Sequence, residues 1–185
     1  MANWWHERHF QSDYGISAFK KALGFCDTNL NALDVGCGAG GRFIQELINR
    51  DVAVTGIDVS AEMVKLARNN HPTGQFILAD IGTWKTEQKF DFIYAWDSIF
   101  HLPLAMQKPV INKLCSLLNQ NGILFYSFGN AVGEETDEWL NDIFYYSLIG
   151  IDENIISLRE NGLSLLHLEL DQYPERHVYV IAKKL

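Results

Sequence analysis

The chain has 185 residues, 48% of them hydrophobic and 21% charged, which suits one globular α/β domain with a substantial core and leaves little length for a second. Its formal net charge of −8, from 23 acidic and 15 basic residues with no basic stripe, argues against nucleic acid as a partner, because phosphate contacts need clustered Lys and Arg. No apolar run approaches a membrane span, the start Ala2-Asn3-Trp4-Trp5-His6-Glu7-Arg8-His9 is too polar for a secretory signal, and the three cysteines Cys26, Cys37 and Cys115 lack metal-ligand spacing; reduced thiols in a cytoplasmic protein are expected.

In chain order, the first thirty residues carry Trp4, Trp5, Phe10, Tyr14 and Phe19, and a helix packed through Phe19, Ala22 and Leu23 is the simplest reading. Residues 32 to 41, Ala-Leu-Asp-Val-Gly-Cys-Gly-Ala-Gly-Gly, read as a short buried strand, a glycine-dense turn and the start of an amphipathic helix. Gly36, Gly38 and Gly40 let the backbone turn sharply at the strand's end and let a ligand approach the main chain. Gly36, Gly38 and Gly41 also satisfy the G-x-G-x-x-G spacing of dinucleotide sites. Asp34 separates the readings, because a carboxylate at the strand's lip suits a cationic ligand group and repels a pyrophosphate.

A second strand, Val52 to Asp58, ends in an acid placed to accept both hydroxyls of a ribose. Ser60 then reads as an N-cap, with Met63, Val64 and Ala67 on one face of a helix through Asn70. A third strand, Gln75 to Leu78, ends in Ala79-Asp80-Ile81, and a fourth, Phe90 to Trp96, runs into Asp97-Ser98-Ile99-Phe100-His101-Leu102-Pro103. Next come a helix from Pro109 to Leu118, an Asn121-Gly122 turn, a fifth strand from Ile123 to Phe128 and a loop from Gly129 to Thr136. Two further helices are expected near Glu138 to Ser147 and Glu153 to Glu160, the first announced by Glu134, Glu135, Asp137 and Glu138 beside Thr136 and holding Tyr145 and Tyr146. Leu163 to Leu170 and His177 to Ala182 alternate as a closing antiparallel pair. His6, His9, His71, His167 and His177 are scattered without metal spacing.

The run Leu33-Asp34-Val35-Gly36-Cys37-Gly38-Ala39-Gly40 resembles the first motif of class I S-adenosylmethionine-dependent methyltransferases, and all but roughly the first 30 residues follow that family's order of elements. The resemblance implies a three-layer Rossmann-like α/β fold with a mostly parallel seven-stranded sheet and a C-terminal antiparallel hairpin. It implies one domain over residues 1–185, in which residues 1–30 form a helical lid segment and 31–185 the core. The implied cofactor is S-adenosyl-L-methionine, held by Tyr14, Asp34, Gly36, Cys37, Gly38, Gly40, Asp58, Val59, Met63, Asp80, Ile81 and Trp96, with no metal. In that family the acid of the first motif helps orient the cofactor's amino group, and an acid in the position of Asp80 accepts from the adenine amine. An aromatic lid would exclude water from the sulfonium carbon.

His101 and Asp97 lie just beyond the fourth strand, where the family places the acceptor, and are the catalytic candidates: a neutral histidine suits proton removal near pH 7, with Asp97 orienting its imidazole. The structural alternative has His101 bonded to backbone and Asp97 capping the turn, and a thiolate or selenide acceptor would need no base. His101-Leu102-Pro103 together with Gly133-Glu134-Glu135 is similar to bacterial methyltransferases of the tellurite-resistance type. The expected function is methyl transfer to a small molecule by a monomer or homodimer, without nucleic acid or membrane. A nicotinamide-dependent oxidoreductase and a non-catalytic S-adenosylmethionine-binding module stay open as alternatives.

Overall fold

The computed structural model describes residues 12–27, 30–139 and 142–185, so Trp4, Trp5 and Phe10 lie outside the described residues. Seven strands form one sheet: β1 (Asn31–Val35), β2 (Ala53–Asp58), β3 (Gln75–Leu78), β4 (Phe90–Ala95), β5 (Leu118–Gly129), β8 (Leu163–Glu169) and β9 (His177–Lys184), in the order β3-β2-β1-β4-β5-β9-β8. The first five pair in parallel, and β9 enters antiparallel between β5 and β8. Residues 32–35 of β1 are all buried, as are five of the six in β4, which is why these strands read as nearly continuous apolar runs.

Helices cover both faces. On one, α1 (Ile16–Leu23), α2 (Arg42–Ile48) and α3 (Ala61–Asn70) bury Phe19, Ile44, Leu47, Val64 and Ala67 against Phe92, Tyr94 and Phe125. On the other, α4 (Leu104–Leu117) and α5 (Gly150–Glu160) bury Val110, Ile111, Leu114 and Leu158 against Ile93, Leu124 and Val180. As expected, Phe19, Ala22 and Leu23 pack α1, and Ser60 caps α3 by accepting from the Met63 N–H at 3.3 Å. Among the described residues no helix is long and apolar enough to cross a membrane.

Two expected elements are corrected. The helix placed at Pro109 begins a turn and a half earlier, at Leu104. The buried Gln107 amide anchors this added stretch by donating to the Ile99 carbonyl at 2.7 Å and Ser147 Oγ at 2.9 Å. The helix near Glu138 to Ser147 does not form. Instead β6 (Val132–Trp139) and β7 (Asp142–Ile149) make an antiparallel hairpin that takes in most of the expected loop and sets Glu135 opposite Tyr146 and Thr136 opposite Tyr145. Glu134, Glu135, Asp137 and Glu138 are exposed residues on alternating faces of β6 rather than a helix start. The β-branched and aromatic run Ile143-Phe144-Tyr145-Tyr146 prevails over the acids' poor strand propensity because the hairpin gains a packing partner in the segment after β4.

Candidate functional site

β1 bonds to β2 on one side and β4 on the other, so the connections leaving its end and that of β4 diverge and open a crevice. A cleft of about 1360 Å³ fills it, walled by the glycine turn, the ends of β2 and β3, the segment after β4 and the β6–β7 hairpin.

At the first end of the cleft the backbone sets the geometry. Gly36 and Gly38 have φ of 78° and 52°, in the left-handed region. At Gly36 space is also limiting, since a Cβ there would lie 2.4 Å from Ser98 Cβ. Ser98 Oγ donates to the Val35 carbonyl at 2.7 Å and ties the ends of β1 and β4 together. Asp58 holds the turn from beneath: Oδ2 accepts from the Gly38 N–H at 2.9 Å and Oδ1 from the Ser60 N–H at 2.8 Å. Behind the turn, Asn70 Nδ2 donates to the Ala39 carbonyl and His71 Nε2 to the Gly40 carbonyl, both at 2.9 Å. Cys37 packs on Gly56, where a Cβ would approach it to 2.9 Å, and burial followed by the charges of Asp34 and Asp58 pushes its thiol pKa far up. A small inert residue is what the turn requires there.

Asp34 is buried, and burial pushes its carboxyl up to about 8; Tyr94 opposes the shift, Asp58 adds to it and Arg42 opposes it. The Tyr94 hydroxyl acts on this carboxylate by proximity, without a well-aligned hydrogen bond to any group. Asp34, Gly36, Cys37, Gly38, Asp58, Val59, Met63, Ile81, Trp96 and Tyr14 all line the cleft. Gly40 and Asp80 are not lining residues: Gly40 backs onto His71, and the exposed Asp80 accepts from the Gly82 N–H at 2.7 Å beside the lining Ala79 and Ile81.

The second end is built from side chains on distant segments. Trp96 stacks on Phe125 at 5.2 Å and meets the edges of Tyr14 at 5.5 Å and Phe43 at 5.8 Å, leaving its buried indole N–H without a partner. Tyr14 is fixed at its carbonyl by Arg42 Nε at 2.5 Å, and the guanidinium lies 5.3 Å from its ring. His101 and Asp97 both line the cleft. His101 Nδ1 lies 2.8 Å from the Tyr145 carbonyl, which can only accept, so the neutral ring carries its proton on Nδ1 and keeps the Nε2 lone pair. The rings of Phe100 and Tyr146 flank it at 4.8 and 4.9 Å.

Asp97 is not the partner of His101. It takes φ of 51°, receives Ser127 Oγ–H on Oδ1 at 3.2 Å, and pairs through the same oxygen with His177 Nε2 at 3.0 Å. His177 Nδ1 faces Asp171 Oδ1 at 2.5 Å, and Gln172 Nε2 donates to the Tyr14 hydroxyl at 2.8 Å. His177, Gln172 and the supporting His71 were not legible as site residues. The signal that could have found His177 is its place as the first residue of β9, opposite Gly129, which sets it at the same sheet end as Asp97.

Residues 32–122 match a family described as a methyltransferase domain. The chain is 39% identical over 94 residues to a trans-aconitate 2-methyltransferase of Escherichia coli (strain 55989 / EAEC), covering 49% of this chain and 36% of the relative. It is 30% identical over 151 residues to the protein of that name from Enterobacter sp. (strain 638), covering 78% of this chain and 58% of the relative. The chain thus spans 36% to 58% of the length of these curated relatives. Among solved structures, an amino pentose methyltransferase from Micromonospora echinaspora with bound S-adenosylmethionine superposes with a TM-score of 0.75 at 14% identity, covering 100% of this chain and 95% of that one. An S-adenosylmethionine-dependent methyltransferase from Listeria monocytogenes gives 0.76 at 16% identity, covering 92% and 96%. These two likenesses concern the fold, and they agree with the strand order and the mostly parallel sheet. Residues 32–122 are thus a methyltransferase domain, and with the relatives and the glycine turn in agreement they support a class I S-adenosylmethionine-dependent methyltransferase.

Proposed function

We propose that this protein transfers the methyl group of S-adenosylmethionine to a small neutral or cationic molecule. The observation that carries the reading is the continuity of one cleft from the glycine turn, Asp34 and Asp58 to Asp97 and His101. When bound, the cofactor supplies an activated methyl with its own leaving group, so the chain has mainly to align a nucleophile and remove a proton. The residues present fit it: the buried Asp34 carboxylate suits its ammonium, Asp58 its ribose, Ile81 and Val59 its adenine, and the unpartnered Trp96 N–H is a donor for an acceptor atom at the cleft wall. Asp34 disfavours a dinucleotide's pyrophosphate at the same turn. A non-catalytic module would have no use for the second end of the cleft.

His101 removes the acceptor's proton through Nε2, its tautomer fixed by the Tyr145 carbonyl, and Asp97 holds the acceptor in line. The acceptor is not expected to be a tricarboxylate such as the trans-aconitate named for the relatives. Asp97, Glu135 and Glu175 line this end, and Arg176 there is already paired with Glu135 at 3.2 Å. Tyr14, before α1, serves as a lid residue; the thiols of Cys26, Cys37 and Cys115, none in a disulfide, suit a cytoplasmic protein, and the chain acts as a monomer or homodimer. The test is transfer of labelled methyl to paired amines, phenols, thiols and carboxylates, with trans-aconitate included. Label appearing only on carboxylates would overturn the acceptor class, and S-adenosylhomocysteine failing to bind would overturn the whole reading.

A further inference from the structure

We propose that His177 is the positioning residue that holds the Asp97 carboxylate toward the acceptor; the inference rests on the methyl-transfer reading above. His177 is the first residue of β9, with 12% of its side chain exposed, and both of its ring nitrogens face carboxylates. Ionised Asp97 and Asp171 can only accept, so both nitrogens donate and the ring is an imidazolium bridging the end of β4 to the β8–β9 connection. Burial alone would depress its pKa, but hydrogen bonds and charge from the two acids outweigh that and raise it above the ordinary histidine value.

The bonds reaching the Asp97 side chain from Ser127, His177 and, at 3.5 Å, the Tyr14 hydroxyl all end on Oδ1. Oδ2 takes none of them, and the side chain is 36% exposed at the cleft wall. His177 thereby fixes which oxygen of Asp97 is offered to the acceptor, and Asp171, holding the other ring nitrogen, keeps the imidazole from turning. Three elements meet at this point: Tyr14 before α1, Ser127 on β5, and Asp171 with Gln172 after β8. Among the described residues, Arg42 from α2 and Tyr146 from β7 also act on Asp97. A histidine serves here because a short, rigid imidazolium gives two oppositely directed N–H groups and a charge that balances one of two facing acids.

The test uses the full chain. S-adenosylhomocysteine affinity is measured first and should stay within about twofold of wild type in His177→Gln and His177→Leu, because neither residue touches the glycine turn. With the acceptor found in the panel above, kcat/KM should fall about tenfold in His177→Gln, which keeps one donor toward Asp97, and about a hundredfold in His177→Leu. Wild-type activity should decline on the alkaline side as His177 loses its proton, and that limb should be missing from His177→Gln. Independently of any acceptor, nitrogen-15 spectra of the S-adenosylhomocysteine complex should show one imidazole, assigned through His177→Gln, still doubly protonated at pH 7 and titrating lower in Asp97→Asn. A neutral His177 at pH 7, wild-type kcat/KM in His177→Leu, or lower activity with an unchanged alkaline limb would each overturn the proposal. A panel with no acceptor would count against methyl transfer while the spectra still decide the pairing.

Discussion

The two ends of the cleft are made in different ways. The first is made largely by backbone: three consecutive strands of one βαβαβ half each end in a short motif, the Gly36 and Cys37 N–H groups donate to the Ile57 carbonyl of β2, and Asp58, Asn70 and His71 brace the turn from neighbouring elements. The second is made by the side chains of Tyr14, Asp97, His101, Asp171 and His177 with the Tyr145 carbonyl, which span most of the chain. The first end should therefore tolerate almost no change in backbone shape, while the second should tolerate changes in side-chain shape and respond to charge and hydrogen-bond direction.

The sharpest way to break this contrast is at Gly36. Gly36→Val combines a left-handed φ of 78° with a Cβ 2.4 Å from Ser98, a backbone cost plus an overpacking cost of about 2 to 5 kcal/mol together. S-adenosylhomocysteine affinity should fall about a hundredfold or more. Gly38→Ala is the control, since φ there is 52° but nothing lies within 4 Å of the new Cβ, so only the conformational cost applies and the loss should be about tenfold or less. Equal losses at the two positions, read by calorimetry on folded variants, would show that space at the Ser98 contact is not what the turn requires.

At the second end, His101→Gln should lower turnover about a hundredfold while leaving S-adenosylhomocysteine affinity nearly unchanged, because the lone pair on Nε2 acts on the acceptor's proton and not on the cofactor. Wild-type turnover in that variant would mean that the Tyr145 carbonyl holds a structural histidine, or that the acceptor arrives deprotonated.

The same contrast explains what could be read from the sequence. The sheet, α3 with its Ser60 cap and the cleft-facing Asp34 and Asp58 were legible because each depends on a local pattern: an apolar run, a glycine turn, an acid at a strand end. The β6–β7 hairpin was not, because the acids at 134, 135, 137 and 138 carry a helix-start signal that only tertiary packing overrides. Pro109 misplaced the start of α4 for a similar reason, its ring marking a boundary that Gln107's buried bonds move back to Leu104. Asp97 was found but given the wrong partner: His101 is four residues away and His177 eighty, and no periodicity reports a pairing that arises when β9 lies down beside β5.

Asp58 tests how far the backbone end depends on a side chain. Its two oxygens already hold the Gly38 and Ser60 N–H groups, so Asp58→Ala removes both a ligand contact and a brace of the turn. Loss of the charge-assisted bonds costs about 1.5 to 3 kcal/mol, or roughly ten- to a hundredfold in S-adenosylhomocysteine affinity. Unchanged affinity in a folded variant would place the ribose elsewhere.

The smallest expected effect is a pH dependence at Asp34, and it joins the two kinds of control, since a buried charge there is set by the backbone turn around it. Burial raises this carboxyl from 3.8 to about 8, so the folded chain holds its proton over a range where the unfolded chain has released it. The sign follows: between about pH 4 and pH 8 the unfolded state binds fewer protons, and the stability of the ligand-free protein falls as pH rises, by at most about 1.4 kcal/mol per unit. An ammonium seated against Asp34 favours the ionised form, so binding S-adenosylhomocysteine near neutrality should release a proton. Affinity should then tighten from pH 7 to pH 8 by no more than about tenfold. Calorimetry in buffers of different ionisation enthalpy reads the proton directly, and Asp34→Asn should abolish both its release and the fall in melting temperature. Binding without proton release in the wild-type protein would mean that the ammonium does not meet Asp34, and the carboxylate at the lip of β1 would then need another partner.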